Sequence, residues 1–283
     1  FNSIKNIYKD LTLLDATSFN NSPITTDMES LSKEIDTYAK NKKLELEALK
    51  IREKYRKEFI GNVSHELKTP LFTVQGYIST LIDGAAEDPQ IRDKYLKRAD
   101  KGVDRLLYIV KDLDMITKLE VGDANLTLEP FNIIDCITNV FDLLEIKAEK
   151  KNISLIFDKD YPTPVMVIAD RERIQQVLTN LVVNSIKYGH QNGTTEISIE
   201  NLNYDKLIVR VTDNGEGVEH NHLTRLFERF YRVDKSGSRE EGGSGLGLSI
   251  VKHIIEAHEE KIYVESKFGI GSEFSFTLQK QNE

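Results

Sequence analysis

His65 and Glu66 stand side by side in the run Phe59-Ile60-Gly61-Asn62-Val63-Ser64-His65-Glu66-Leu67-Lys68-Thr69-Pro70-Leu71, with the Thr69 hydroxyl four residues past the imidazole. On a helix, at 100° per residue, His65 and Thr69 share a face and Glu66 lies beside them. A carboxylate that takes the proton of one imidazole nitrogen sets the tautomer and makes the other nitrogen more nucleophilic, which suits a phosphoryl acceptor. A zinc protease would need a second histidine where Thr69 stands, so that chemistry lacks a ligand. Farther on, Asp213-Asn214-Gly215-Glu216-Gly217 follows an apolar run. Its acceptor-only carboxylate matches the exocyclic amine of adenine, and its glycines let the backbone pass close to a base. Gly243-Ser244-Gly245-Leu246-Gly247-Leu248 leads directly into a helical pattern. Amides at a helix start, with no side chain in the way, form an anion site. Its spacing is neither the Walker pattern nor the dinucleotide-binding one.

The elements that must position these groups follow from periodicity. Residues 1–27 carry an apolar-periodic segment broken by Ser18-Phe19-Asn20-Asn21-Ser22-Pro23. From Met28 to Phe59 there is no Gly or Pro, and Met28, Leu31, Ile35 and Tyr38, then Leu46 and Leu49, recur near heptad spacing with a register break between the two sets. The alternating Lys, Arg and Glu of this stretch read as a solvated helix face. Past Pro70, a possible kink, the helix is expected to end at Asp83-Gly84. A second helix carries Leu96, Ala99, Val103, Leu106, Val110 and Leu113 at 3-4-3-4-3 spacing. A hairpin with one apolar stripe on each helix cannot bury both stripes alone, whereas two hairpins can as a four-helix bundle, which predicts a homodimer built on residues 45–120. Beyond Val121-Gly122-Asp123-Ala124 the pattern turns to mixed α/β. Strands are expected at 126–131, 153–158, 165–168, 196–201, 206–213, 261–266 and 272–278, with helices at 132–150, from an Asp170 cap through Tyr188, and at 246–257.

Composition narrows the functional classes. A formal charge of −8 on 283 residues argues against a nucleic-acid surface, which normally shows a clustered positive excess. The single cysteine, Cys136, cannot form an internal disulfide, so a reducing compartment is expected. No run reaches the roughly 18 to 20 apolar residues that span a bilayer. The chain starts at Phe1 without a signal pattern and is expected to be a cytosolic piece of a longer protein.

Taken whole, the thirteen residues around His65 resemble the H-box of sensor histidine kinases of two-component systems. Four further strings, in the order of that family's ATP-binding domain, extend the resemblance over residues 59–278. Gln176 to Tyr188 resembles the N-box, Asp213 to Val218 the following Asp-x-Gly-x-Gly, Phe227-Glu228-Arg229-Phe230-Tyr231-Arg232 the F-box, and Gly243 to Leu248 the glycine loop. Each string alone has a plainer reading: a surface histidine, polar helix positions, a common turn, core aromatics of an amphipathic helix. The sequence also departs from the family. Ser244 and Ser272 stand where Thr is commoner, and Glu259-Glu260 stand where glycines are usual, which puts the turn before Lys261 in doubt.

The resemblance implies three parts. Residues 1–44 form a helical signal-relay segment, either a degenerate HAMP-like module or a coiled-coil linker. Residues 45–121 form an all-α dimerisation and phosphotransfer hairpin, and residues 122–283 an α/β sandwich ATP-binding domain of the Bergerat (GHKL) type. It implies catalytic roles for His65, Glu66 and Thr69, the last toward dephosphorylation of a regulator. It implies nucleotide contacts from Asn180, Asn184, Lys187, Tyr188, Asp213, Gly215, Gly217, Phe227, Arg229, Arg232, Gly243, Gly245, Leu246, Gly247 and Ser272. Asn184 is the expected Mg2+ ligand beside the ATP phosphates, since magnesium takes hard oxygen donors. The implied partners are a second copy and the receiver domain of a separate response regulator, with membrane attachment only through upstream segments. Two rival readings stay distinguishable. A conformational ATPase would hydrolyse ATP without forming phosphohistidine, and a silent coupling module would not bind Mg-ATP.

Overall fold

The computed structural model describes residues 28–120, 126–233 and 244–281, without the side chains of 28–31, 34 and 118–120. The expected relay helix before Met28 and the glycine at 243 lie outside the described residues. The chain divides into two compact units, Phe1–Gly61 and Asn62–Glu283. In the first, all described residues are helical and belong to α1 (Met28–Ile82). Leu44, Leu46, Leu49, Ile51 and Tyr55 are exposed there, and the surface carries short-range ion pairs such as Lys42 with Glu45 and Lys57 with Glu53. Such pairs add only tenths of a kcal/mol, about 0.3–0.5 each. No described helix of the protein is long and apolar enough to cross a membrane.

The second unit begins within α1, which continues through Pro70 as one helix. Pro70 has no N–H for the Glu66 carbonyl, yet it is buried in the hairpin. A single 3-10 turn (Ala85–Glu87) reverses the chain into α2 (Pro89–Glu120). The antiparallel pair is tied by Tyr77 against Tyr95, with ring centroids 5.2 Å apart, and by Arg98 and Arg105 reaching back to α1.

The α/β part is a two-layer sandwich. Its strands are β1 (Glu129–Asn132), β2 (Ser154–Phe157), β3 (Met166–Ala169), β4 (Thr194–Asn201), β5 (Lys206–Asp213), β6 (Ile262–Lys267) and β7 (Gly271–Lys280). They form one sheet in the order β1-β3-β7-β5-β4-β2, with β6 also on β7. Among the described strands only β2 and β4 pair in parallel. The helices are α3 (Ile133–Glu149), α4 (Arg171–Tyr188), the short α5 (His220–Leu223) and α6 (Gly247–Ala257). Asn132 and Asp170 cap α3 and α4, their side chains accepting from the Ile134 and Arg173 amides. The expected strand at 126–131 begins three residues later, at Glu129, and the helix expected from 132 begins one residue later because Asn132 is spent on the cap.

Period-two alternation puts one face of the sheet under the helices. Ile197, Val211 and Phe274 sit opposite one another across β4, β5 and β7, as do Ile199, Val209 and Phe276, and all six are buried. Ile174, Val177, Leu178, Leu181 and Ile186 of α4 and Ile250, Val251, Ile254 and Ile255 of α6 close over them. Met115 and Ile116 of α2 belong to the same core.

The doubtful turn at 259–260 resolves by tertiary contacts. Glu259 adopts a φ of 58°, the left-handed form that glycine takes at no steric cost. Glu260, 8% exposed, is held by the Lys206 ammonium at 2.8 Å and by the Thr277 hydroxyl. A carboxylate thus fills the place of a glycine because two donors from other strands meet it.

Candidate functional site

The register that buries the core also builds the polar end of the sheet. One step beyond the Ile197–Val211–Phe274 row, on the same face, comes the row Thr195, Asp213, Ser272. Asp213 is therefore the last inward-facing residue of β5, at the mouth of the gap between sheet and helices. Burial raises its pKa, partly offset by the Gly215 and Ser272 backbone amides. The Gly215 N–H donates to its Oδ1 at 2.9 Å, turning the chain sharply after the strand. At one end of this row the Thr195 hydroxyl and the Ser185 hydroxyl bond each other across β4 and α4 at 2.5 Å.

The glycine strings close on this carboxylate. The Glu216 amide donates to the Tyr188 carbonyl at 3.2 Å, joining the end of α4 to the Asp213 loop. Gly217 has a φ of +67°, and a Cβ there would stand 2.1 Å from the Lys267 carbonyl oxygen, so no other residue fits. At the opposite rim the Phe230 amide donates to the Gly245 carbonyl at 2.9 Å, which joins the F-box to the glycine loop. Gly245 (φ +72°) passes so near Phe230 that a Cβ would lie 2.8 Å from its Cα. Phe227 packs edge-on against Phe274, and Leu246 is sunk fully in the core.

On α4, Asn180 Nδ2 donates to the Gly247 carbonyl at 3.4 Å, anchoring the first turn of α6. Asn184 and Lys187 follow on the same helix face, half-buried, and Tyr188 is exposed with the Lys187 ammonium 5.0 Å from its ring centre. Arg229 turns toward α6, where its guanidinium meets His253 Nε2 at 3.1 Å. Arg232 is half-buried. Among the described residues no cluster of three or more His, Cys, Asp or Glu side chains can hold a metal ion. An amide oxygen from Asn184 fits the alternative, a cation held mainly by phosphate oxygens. A groove of about 550 Å³ between α3 and β2, lined by Phe141, Leu155, Phe157 and Tyr161, contains none of the expected nucleotide residues.

His65, Glu66 and Thr69 sit on the hairpin. His65 is exposed, and the Thr69 hydroxyl donates to the His65 carbonyl at 3.3 Å, so the two share one face of α1. Glu66 is half-buried, its carboxylate 3.4 Å from the Arg105 guanidinium of α2. Among the described residues, no hydrogen bond or ion pair joins His65, Glu66 or Thr69 to the nucleotide set. The sequence reading missed Arg105, Asp112 and the Ser185/Thr195 pair. Asp112 offered the best signal, an acidic residue beside the inward stripe of α2. It is 4% exposed, and Ser244 Oγ donates to its Oδ2 at 3.2 Å. Burial pushes its carboxyl up to about 6, with the Ser244 bond pulling the other way. Cys136, buried and pushed up to about 11, is an inert core thiol.

Residues 169–282 match the model of the histidine kinase-, DNA gyrase B- and HSP90-like ATPases, and residues 55–122 match the His Kinase A (phospho-acceptor) domain. The sensor histidine kinase WalK of Bacillus subtilis (strain 168) is 35% identical over 231 residues, covering 81% of this chain and 37% of WalK. The chain thus spans little more than a third of that relative's length. The histidine kinase ThkA, solved in complex with response regulator protein TrrA, is 30% identical with a TM-score of 0.64, over 84% of this chain and 67% of that one. Full-length ShkA in complex with AMPPNP is 26% identical with a TM-score of 0.61, over 80% of this chain and 47% of ShkA. An acceptor hairpin and an ATPase sandwich in this order, matched both by family and by fold, mean that the chain belongs to the sensor histidine kinases of two-component systems.

Proposed function

We propose that this chain binds Mg-ATP at the open end of the sandwich, moves the γ-phosphoryl group to His65, and passes it to an aspartate of a separate response regulator. The observation that carries the reading is the inward-facing Asp213 at the end of β5, bracketed by the glycine strings. Adenine is read by the Asp213 carboxylate, and its ring has backbone access beside Gly215 and Gly217. The amides at the start of α6 and the Lys187 ammonium face the phosphates, with Arg229 and Arg232 around them, while Ser272 stands beside Asp213 at the adenine end. Asn184 holds the magnesium ion, which neutralises phosphate charge when bound. Asn180 keeps α6 in place, and Phe227 roots the F-box in the core.

At the hairpin, one imidazole nitrogen of His65 attacks the γ-phosphorus in line as the bond to the ADP oxygen breaks. Glu66 takes the proton from the other nitrogen. The exposure of His65 supports this, because an acceptor must be reached first by the nucleotide and then by the regulator. Thr69, on the His65 face, positions the water that removes phosphate from the regulator. The exposed apolar stripe of α2 and the exposed Leu71, Phe72 and Ile78 of α1 are covered by a second copy. The boundaries follow as a relay segment over 1–44, a hairpin over 45–121 and an ATP-binding domain over 122–283. The names of ThkA with TrrA and of ShkA with AMPPNP support a regulator partner and an ATP-type ligand.

Incubation with γ-labelled ATP tests the reading. The chain becomes labelled, the label is acid-labile, and His65→Gln removes it while Mg-ATP still binds. Label that persists in His65→Gln rules out the assignment, and ATP turnover without labelling favours a conformational ATPase. Thr69→Ala is expected to slow regulator dephosphorylation by about tenfold or more while autophosphorylation remains, the order expected for a residue that positions a reacting water.

A further inference from the structure

Asp112 and Ser244 lie 132 positions apart, one on the second helix of the hairpin and the other at the entrance of the glycine loop. Both are buried, at 4% and 7% exposure. Ser244 Oγ makes two bonds in series. It donates to Asp112 Oδ2 at 3.2 Å and accepts from the Leu246 backbone N–H at 3.2 Å. That amide belongs to the turn entering α6, where amides without side chains in the way would receive a phosphate oxygen. The hydroxyl therefore occupies a donor that the nucleotide needs, and a carboxylate from another element holds the hydroxyl there. Two shells of α2 reinforce the arrangement, because Met115 and Ile116, one turn farther on, are buried in the core of the sandwich.

We infer that Asp112 and Ser244 form a latch that competes with the nucleotide's phosphates for the glycine loop, so that nucleotide binding and docking of the ATP-binding domain on α2 oppose each other. The inference rests on the reading of 244–247 as the phosphate loop. Two effects act in the same direction. A phosphate taking the Leu246 amide displaces Ser244 Oγ, and a triphosphate brought next to a buried carboxylate meets like charge where little water screens it. The carboxylate set free regains water, so letting go costs less than leaving it buried and unpaired would. Because the two equilibria share one loop, the coupling is reciprocal: whatever factor the latch takes from nucleotide affinity, the nucleotide takes from docking. The device explains why a carboxylate is tolerated inside an otherwise apolar helix contact.

The experiment uses the whole chain and Mg-AMPPNP as the probe, with affinity read by calorimetry. Asp112→Ala and Ser244→Ala are each expected to bind about tenfold more tightly than the wild type, the worth of one hydrogen bond to a charged group. The double variant gains no more than the better single one, since both break the same chain of bonds. Asp112→Asn keeps an acceptor for Ser244 but loses the charge, and its affinity is expected to fall between that of the wild type and that of Asp112→Ala. Independently, in the unaltered protein, Mg-AMPPNP raises amide hydrogen exchange across residues 109–116 of α2. Unchanged or weaker binding by Asp112→Ala, or no change in that exchange, overturns the latch. A wild type that does not bind Mg-AMPPNP at all overturns the nucleotide reading beneath it.

Discussion

Glu66 follows His65 by one position, and neighbouring residues on a helix do not face each other. The side chain must therefore be held on one side to serve the imidazole, and the Arg105 guanidinium at 3.4 Å is the group that holds it. This makes Arg105 a positioning residue. Arg105→Ala is expected to slow autophosphorylation by about tenfold with the KM for ATP unchanged, a modest general-base effect. Arg105→Lys should restore part of the rate, because a point cation still attracts the carboxylate but lacks the planar fork. Initial rates over a series of ATP concentrations check both, and a loss confined to KM would place Arg105 in nucleotide binding instead. The residue scale also shows how little a family pattern says about a single replacement. Glu259 takes a glycine-type φ and Glu260 is neutralised by Lys206, so a turn that looked improper is stable for reasons lodged in β5 and β7.

At the scale of elements, the contact of α2 with the start of α6 carries a pH signature. Asp112 is raised from the usual carboxylate value to about 6. A carboxyl raised on folding holds its proton more firmly in the native state than in the unfolded chain, so its contribution works against the fold as pH rises. The cost is absent below the unfolded value near 4, grows from there to about pH 6, and is complete above it. Asp112→Asn removes this titration. Its gain in stability over the wild type is expected to be near zero at pH 4 and about 3 kcal/mol at pH 8, from a shift of roughly two pH units at 1.36 kcal/mol each. Denaturant unfolding of both proteins at the two pH values checks it, and a gain that does not change with pH would show that Asp112 is not the titrating group. The same element divides its apolar positions between two kinds of surface. The 3-4-3-4-3 stripe of α2 reads as one face, yet Ala99 is buried while Leu96, Val103 and Val110 are exposed, and Ile109, Met115 and Ile116 point instead into buried contacts.

For the whole molecule, those exposed positions define what a second copy would cover. Leu96, Val103 and Val110 recur every seven residues on α2 and are 52%, 43% and 52% exposed. Val103→Glu would place an unpaired carboxylate in the centre of the proposed four-helix bundle. It is expected to weaken dimerisation by about 100-fold or more, since burying such a charge costs several kcal/mol. Sedimentation equilibrium reads the change, and a dimer of unaltered strength would move the interface elsewhere. The monomeric variant should still bind Mg-ATP, because the Asp213 site lies wholly within one chain.

Sequence alone determined what depends on neighbours along the chain. The cap at Asp170, the strand ending in Asp213, the helix entered through a glycine loop and the histidine beside its carboxylate all follow from local hydrogen bonding, side-chain period and glycine's freedom at φ > 0. Tertiary structure decided what depends on register and docking. The row Thr195, Asp213, Ser272 exists only because three strands pair in one register, and a slip of one residue would turn the carboxylate to the outer face. The pairings Glu66 with Arg105, Asp112 with Ser244 and Glu260 with Lys206 join residues 39, 132 and 54 positions apart. No local pattern encodes them, because each arises only when separately formed elements pack and a buried charge must find its partner.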